Sequence, residues 1–242
     1  MRLPALVGLI AACSFPTKSP GATDGRMIDG AGSDGGMIDA MIDAAKDGPP
    51  PPCITISGTV TALDATGVGS AVPGTQITLF DSVNDANLGS TNADGSGNFA
   101  LSIATNGAPV NVYLEAFGSA FMETFAWPPG PLSADDTGVT VEMTTTTTLA
   151  SFANLCGASQ DASHGTVIVE AIHDNAPIGG AKITSSPLAG GSCADPFMAG
   201  VTALFDVPPG LVTVEATGSG TFVQHTVNAL AGTLTLTQIV EE

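Results

Sequence analysis

From Cys53 onward the chain repeats one pattern, in which apolar residues alternate with small polar ones at period two. Ile54, Ile56, Val60 and Ala62 alternate with Thr55, Ser57, Thr59 and Thr61. This spacing turns successive side chains to opposite faces of an extended segment, burying one face and wetting the other. Phe99, Leu101 and Ile103 repeat it, as do Val110, Val112, Leu114 and Ala116, and then Val139, Val141 and Met143. Val72-Pro73-Gly74, Ala93-Asp94-Gly95 and Trp127-Pro128-Pro129-Gly130 supply turns between them. Val167, Val169 and Ala171 continue the pattern in the second half, followed by Val212, Val214 and Ala216 and by Leu234 and Leu236 among threonines. Short strands at this spacing predict sandwiches. With 43% hydrophobic but only 5% aromatic residues, the cores are expected to be aliphatic.

The two halves repeat each other. Gly58-Thr59-Val60 matches Gly165-Thr166-Val167, Phe99 matches Phe205, and Glu115-Ala116-Phe117-Gly118-Ser119 matches Glu215-Ala216-Thr217-Gly218-Ser219. Landmarks in one order argue for two copies of one fold, with a junction near residues 150 to 160. Pro73-Gly74-Thr75-Gln76-Ile77 in the first half has a counterpart in Gly179-Gly180-Ala181-Lys182-Ile183, and Val207-Pro208-Pro209-Gly210 supplies a turn in the second half. On these residues both halves resemble the carboxypeptidase regulatory-like, or transthyretin-like, sandwich of bacterial surface proteins. The resemblance implies an all-β fold of two tandem Ig-like, Greek-key sandwiches over residues 53–150 and 160–242. It also implies an accessory module, with no catalytic residues to carry over. Between Phe121 and Thr137 the first copy departs from the pattern, because the Trp-Pro-Pro segment is inserted there.

The amino terminus reads as an export signal over residues 1–12: Arg2 is the positive end and Leu3 to Ile10 the apolar stretch. Ile10-Ala11-Ala12-Cys13 resembles the bacterial lipobox, which implies a diacylated and palmitate-bearing Cys13. Acyl chains contribute about 0.8 kcal/mol per buried CH₂, so such an anchor is expected to be permanent. The same resemblance implies outer-membrane placement, since Ser14 stands where lipoproteins retained in the inner membrane carry aspartate. An ordinary secretory cut near Ala12 is the alternative. Residues 13–52 are rich in Asp, Gly and Pro, with Met-Ile-Asp recurring at Met27, Met37 and Met41, and are expected to be a disordered acidic tether.

Charge excludes one class of partner. The chain carries a formal net charge of −18, and Lys182 is the one Lys or Arg beyond residue 52. Nucleic-acid binding requires many such residues to neutralise phosphates, so it is set aside. Export places Cys53, Cys156 and Cys193 in an oxidising compartment. A Cys156–Cys193 disulfide within the second half is the first expectation and Cys53–Cys156 the alternative.

Candidate chemistry is sparse. Asn92, Asp94, Ser96 and Asn98 approximate the first half of a calcium loop, but Ile103 stands where a bidentate glutamate belongs, so a hairpin turn is the competing reading. Trp127, Asp135 and Asp136 are candidates for a binding loop, against simple packing of the loop on the sandwich end. His164, His173 and His225 lack metal-ligand spacing and are expected at surfaces or strand edges. No cofactor and no catalysis are expected. The function read from the sequence is a lipid-anchored surface module that binds an extracellular protein, glycan or envelope component. The rival is an accessory module or hydrolase for extracellular polymers, which requires a cleft lined by paired carboxylates with perturbed pKa values.

Overall fold

A computed structural model describes residues 52–64, 69–194, 199–218 and 220–242. The signal, Cys13 and all but the last residue of the tether lie outside the described residues. The first copy contains β1 (Cys53–Leu63), β2 (Gly69–Ala71), β3 (Gln76–Asp81), β4 (Asn87–Asn92), β5 (Asn98–Ala104), β6 (Val112–Phe117), β7 (Thr124–Trp127) and β8 (Asp136–Met143). A helix, α1 (Thr146–Leu155), follows. The second copy contains β9 (Gly165–His173), β10 (Ala176–Pro177), β11 (Lys182–Ser186), β12 (Gly191–Ala194), β13 (Val201–Val207), β14 (Gly210–Thr217), β15 (His225–Ala229) and β16 (Leu234–Val240). Among the described residues the protein is all-β apart from α1.

Each copy is a sandwich. In the first, β1 pairs antiparallel with β2 and β5 and parallel with β8, and this sheet packs on β4-β3-β6-β7. Ile54, Ile56, Phe99, Leu101 and Val141 from one layer meet Ile77, Leu79, Val112 and Leu114 from the other. In the second, β9 pairs antiparallel with β13 and parallel with β16, and this layer packs on β11-β14-β15. Val167, Val169, Leu204 and Ile239 there meet Ile183, Val212, Val214 and Val227. The shared Gly-Thr-Val opening has a steric cause. A Cβ on Gly58 would collide with the Val139 carbonyl oxygen across a register shift in the β1–β8 pair, and one on Gly165 would lie 2.7 Å from the Leu230 carbonyl oxygen.

The copies are fused through a sheet. β16 pairs parallel with β9 on one side and parallel with β7 of the first copy on the other, giving the order β12-β13-β9-β16-β7-β6-β3-β4. Consecutive residues at this seam serve different cores: Ala126 and its partner Leu236 pack on the first, Trp127 on the second. The long sheet therefore has its covering layers on opposite faces, the β1-β5-β8 layer at one end and β11-β14-β15 at the other.

Helix α1 was not expected from the sequence. Thr145 caps it by accepting a hydrogen bond from the Thr148 N–H at 3.1 Å. Leu149, Phe152 and Ala153, at the i, i+3, i+4 spacing of one helical face, pack on Ala203 and Phe205 of β13 and on Met122. Phe205 occupies the strand that corresponds to β5, yet it faces α1 rather than the core of its own sandwich. A disulfide joins Cys156, at the end of α1, to Cys193 in β12, with 37 residues of separation. Cys53 is free and half-buried.

Candidate functional site

One row of side chains crosses the long sheet: Leu79, Leu114, Ala126, Leu236, Ile168, Ala203 and Cys193, each opposite the next. Leu79 and Leu114 are covered by the β1-β5-β8 layer, while Ala203 and Cys193 lie against α1. The middle of the row is floored but not roofed. Leu114, Ala126, Leu236 and Ile168 line a groove of about 890 Å³ between the two covers. β8 forms one wall, through residues 136–140 and Glu142, and Leu149 and Phe152 of α1 close the far end.

The groove is acidic. Asp135, Asp136, Glu142 and Glu170 line it, and none of the lining residues is Lys, Arg or His. Burial pushes the Glu142 carboxyl above its usual range, and the Glu170 carboxylate raises it further. Burial also raises Asp136. Glu170 accepts a hydrogen bond from the Gln238 side-chain amide at 2.8 Å, which fixes it on the sheet. Asp135 accepts from the Thr55 N–H at 2.8 Å and so ties the groove's lip to β1.

Trp127, Asp135 and Asp136 all line this groove, although only Asp135 and Asp136 sit at a loop and its exit. Trp127 ends β7, stacks on Tyr113 with ring centroids 4.6 Å apart, and has a buried Nε1 with no hydrogen-bond partner. Tyr113 in turn stacks on Phe80 and donates to Asp85 at 3.1 Å; burial and that carboxylate push its hydroxyl up to about 12. A second carboxylate pair lies on another part of the long sheet: burial and then a hydrogen bond to Glu123 raise Glu115.

The Asn92–Asn98 segment forms a tight turn, not the expected hairpin, because β4 pairs with β3 in one layer and β5 with β1 in the other, so the turn carries the chain between layers. Asp94 accepts from the N–H groups of Ser96 and Asn98 at 2.8 and 2.9 Å and from the Asn98 side-chain amide at 3.2 Å, bonds that hold its carboxyl below the usual range. Its oxygens serve the turn. Among the described residues no group of three or more His, Cys, Asp or Glu side chains is arranged to hold a metal. His164 pairs with Asp206 at 3.2 Å and His173 lies between Asp174 and Glu241. His225, at the start of β15, is half-buried with Nε2 buried and unpartnered, and burial lowers its pKa.

Glu142 and Glu170 were not singled out from the sequence. They occupy polar positions of two alternating segments, and nothing local indicates that the segments converge.

No family model matches the chain, and no curated protein matches it in sequence. Among solved structures it is similar to shaft pilin SpaA of Lactobacillus rhamnosus GG, with 8% identity and a TM-score of 0.29 over 79% of this chain and 98% of that one. It is similar to a streptococcal ancillary pilin at 9% identity and a TM-score of 0.27, covering 78% of this chain and 62% of that one. The Bacillus anthracis TIE protein gives 10% identity and a TM-score of 0.26 over 78% of this chain, which spans 34% of that protein. Among the described residues no helix is long and apolar enough to cross a membrane.

Proposed function

We propose that the chain is a structural and binding module of the cell envelope, held at the outer membrane by acyl chains on Cys13 and carrying two carboxypeptidase regulatory-like sandwiches off the surface. The observation that carries this reading is the β7–β16 ladder, which makes the two sandwiches share a single sheet and so turns them into one stiff body. A lipid at one end and a stiff β body at the other suit display, load bearing and recognition of an extracellular protein or glycan, with no chemical step. Mass spectrometry of the native amino terminus is expected to find acylated Cys13, and protease treatment of intact cells is expected to remove the protein. An unmodified cytoplasmic chain would refute the reading.

One observation favours a second reading, a hydrolase for extracellular polymers: Glu142 faces Glu170 in a groove and has a raised pKa. Incubation with a panel of envelope polysaccharides is expected to release no products. Release that Glu142→Gln abolishes would install the hydrolase reading instead.

A further inference from the structure

One wall of the groove is an unfinished sheet. Among the described residues β8 pairs with β1 alone, so its other edge carries backbone N–H and C=O groups without a strand partner. An edge of this kind is a template for an added strand.

The second copy shows what such an edge takes. β16 is the counterpart of β8, since each is the last strand of its copy and runs parallel to its opening strand. Thr59 and Thr166 correspond through the Gly-Thr-Val repeat, and their partners are Thr140 and Leu234. Glu142 then corresponds to Leu236. The free side of β16 is filled by β7 in parallel, with Ala126 opposite Leu236. The same side of β8 is open, and Glu142 stands there in place of leucine.

Charge selects the occupant. Glu142, Glu170, Asp135 and Asp136 face the groove with no cation among the lining residues. A second copy, at a net charge of −18, would bring like charge to it. The chain's own residues 1–51 carry six Asp against four Lys or Arg and offer no match either. The apolar floor of Leu114, Ala126 and Leu236 calls for alternate apolar side chains on the incoming strand.

We propose that the β8 edge binds an extended, cationic segment of a partner polypeptide by parallel strand addition, with Lys or Arg beside Glu142 and apolar residues on the groove floor. This names a partner for the surface module and rests on that reading only for where the partner is met. Display is read on cells and binding on the purified chain, so either can fail alone.

The test uses the full chain and three fluorescein-labelled octapeptides: one alternating lysine with valine, one with glutamate replacing each lysine, and one lysine peptide N-methylated at alternate backbone amides. The lysine peptide is expected to raise anisotropy saturably and to shift the backbone amide resonances of residues 136–142. The glutamate and N-methylated peptides are expected to bind at least about tenfold more weakly, because one loses the charge match and the other the ladder. Glu142→Gln with Glu170→Gln is expected to weaken the lysine peptide about fivefold while leaving the circular dichroism spectrum unchanged. Equal binding of the N-methylated peptide would reduce the effect to surface charge and overturn strand addition. Preferential binding of a chitosan oligomer would overturn the polypeptide assignment. Binding of none of the peptides would overturn the proposal and leave the carboxylates as guards that keep an edge strand from aggregating.

Discussion

The two sandwiches share the pairing of their first, fifth and last strands and the same glycine at the start, yet among the described residues one ends on an open edge and the other does not. In both, the last strand runs parallel to the first. In the second copy that strand is gripped from both sides, by β9 and by β7. In the first copy β8 has a single partner among the described residues. The copies also differ at their fourth strand: β4 pairs with β3, whereas β12 pairs with β13 in the other layer, where Cys193 joins it to the end of α1. Small changes in which neighbour a short strand chooses thus decide where an otherwise repeated fold is closed and where it stays available.

The largest effect is expected from releasing β12. Replacing Cys156 and Cys193 by serine removes a constraint over 37 residues, worth about 4 kcal/mol in the chain-entropy picture. Urea unfolding is expected to show that loss, and proteolysis is expected to begin near β12. A loss under about 1 kcal/mol would mean that packing alone holds α1 and β12, and that the disulfide does not cause the difference between the copies.

Next comes the seam. Leu236→Glu puts at β16 the carboxylate that the first copy carries at Glu142, opposite Ala126 and against the first core. A half-buried, unpaired charge there is expected to cost about 3 kcal/mol. It should also uncouple the sandwiches, so that calorimetry resolves two transitions in place of one. A single unchanged transition would show that the β7–β16 ladder is not what couples them.

These contrasts mark the limit of what the sequence carries. The alternating runs were legible because period two is a local property: Ile54, Ile56, Phe99, Leu101, Val167, Val169, Val212 and Val214 are all buried. The Gly58 and Gly165 landmarks were legible because the same steric demand recurs. Helix α1 was masked by the threonines from Thr144 to Thr148, whose branched side chains favour strands, although the Leu149, Phe152, Ala153 spacing was there to read. The groove had no local signal. It exists because β7 pairs with a strand more than a hundred residues away, with Thr237 bonding to the Trp127 carbonyl oxygen across a separation of 110. Alternation places Glu142 and Glu170 at polar positions and is silent on what faces them.

The paired glycines offer a finer comparison. Gly58→Ala drives a methyl group into the Val139 carbonyl oxygen in the β1–β8 pair, while Gly165→Ala meets Leu230 at 2.7 Å. Gly58→Ala is expected to cost about 2 to 3 kcal/mol and Gly165→Ala about 1, because the second backbone needs to yield less. Thermal unfolding of both variants orders them, and a larger loss at Gly165 would show that the β1–β8 pair is the more compliant of the two.

The smallest effect tests the open edge itself. Glu142 has a folded-state pKa raised above its ordinary 4.5, by burial and then by Glu170. Between these values the folded chain holds more protons than the unfolded one, so stability falls as pH rises through that window. Below the ordinary value both states are protonated and Glu142→Gln is expected to be neutral. At pH values above the raised value the substitution removes a desolvated charge and is expected to stabilise, by less than about 1 kcal/mol because solvent still reaches the groove. Urea melts of wild type and variant at about pH 4 and about pH 8 read the difference directly. A variant that gains nothing at the higher pH would mean that the carboxylate is fully hydrated. The β8 edge would then stand in open water, and a cationic strand laid beside it would gain little from charge.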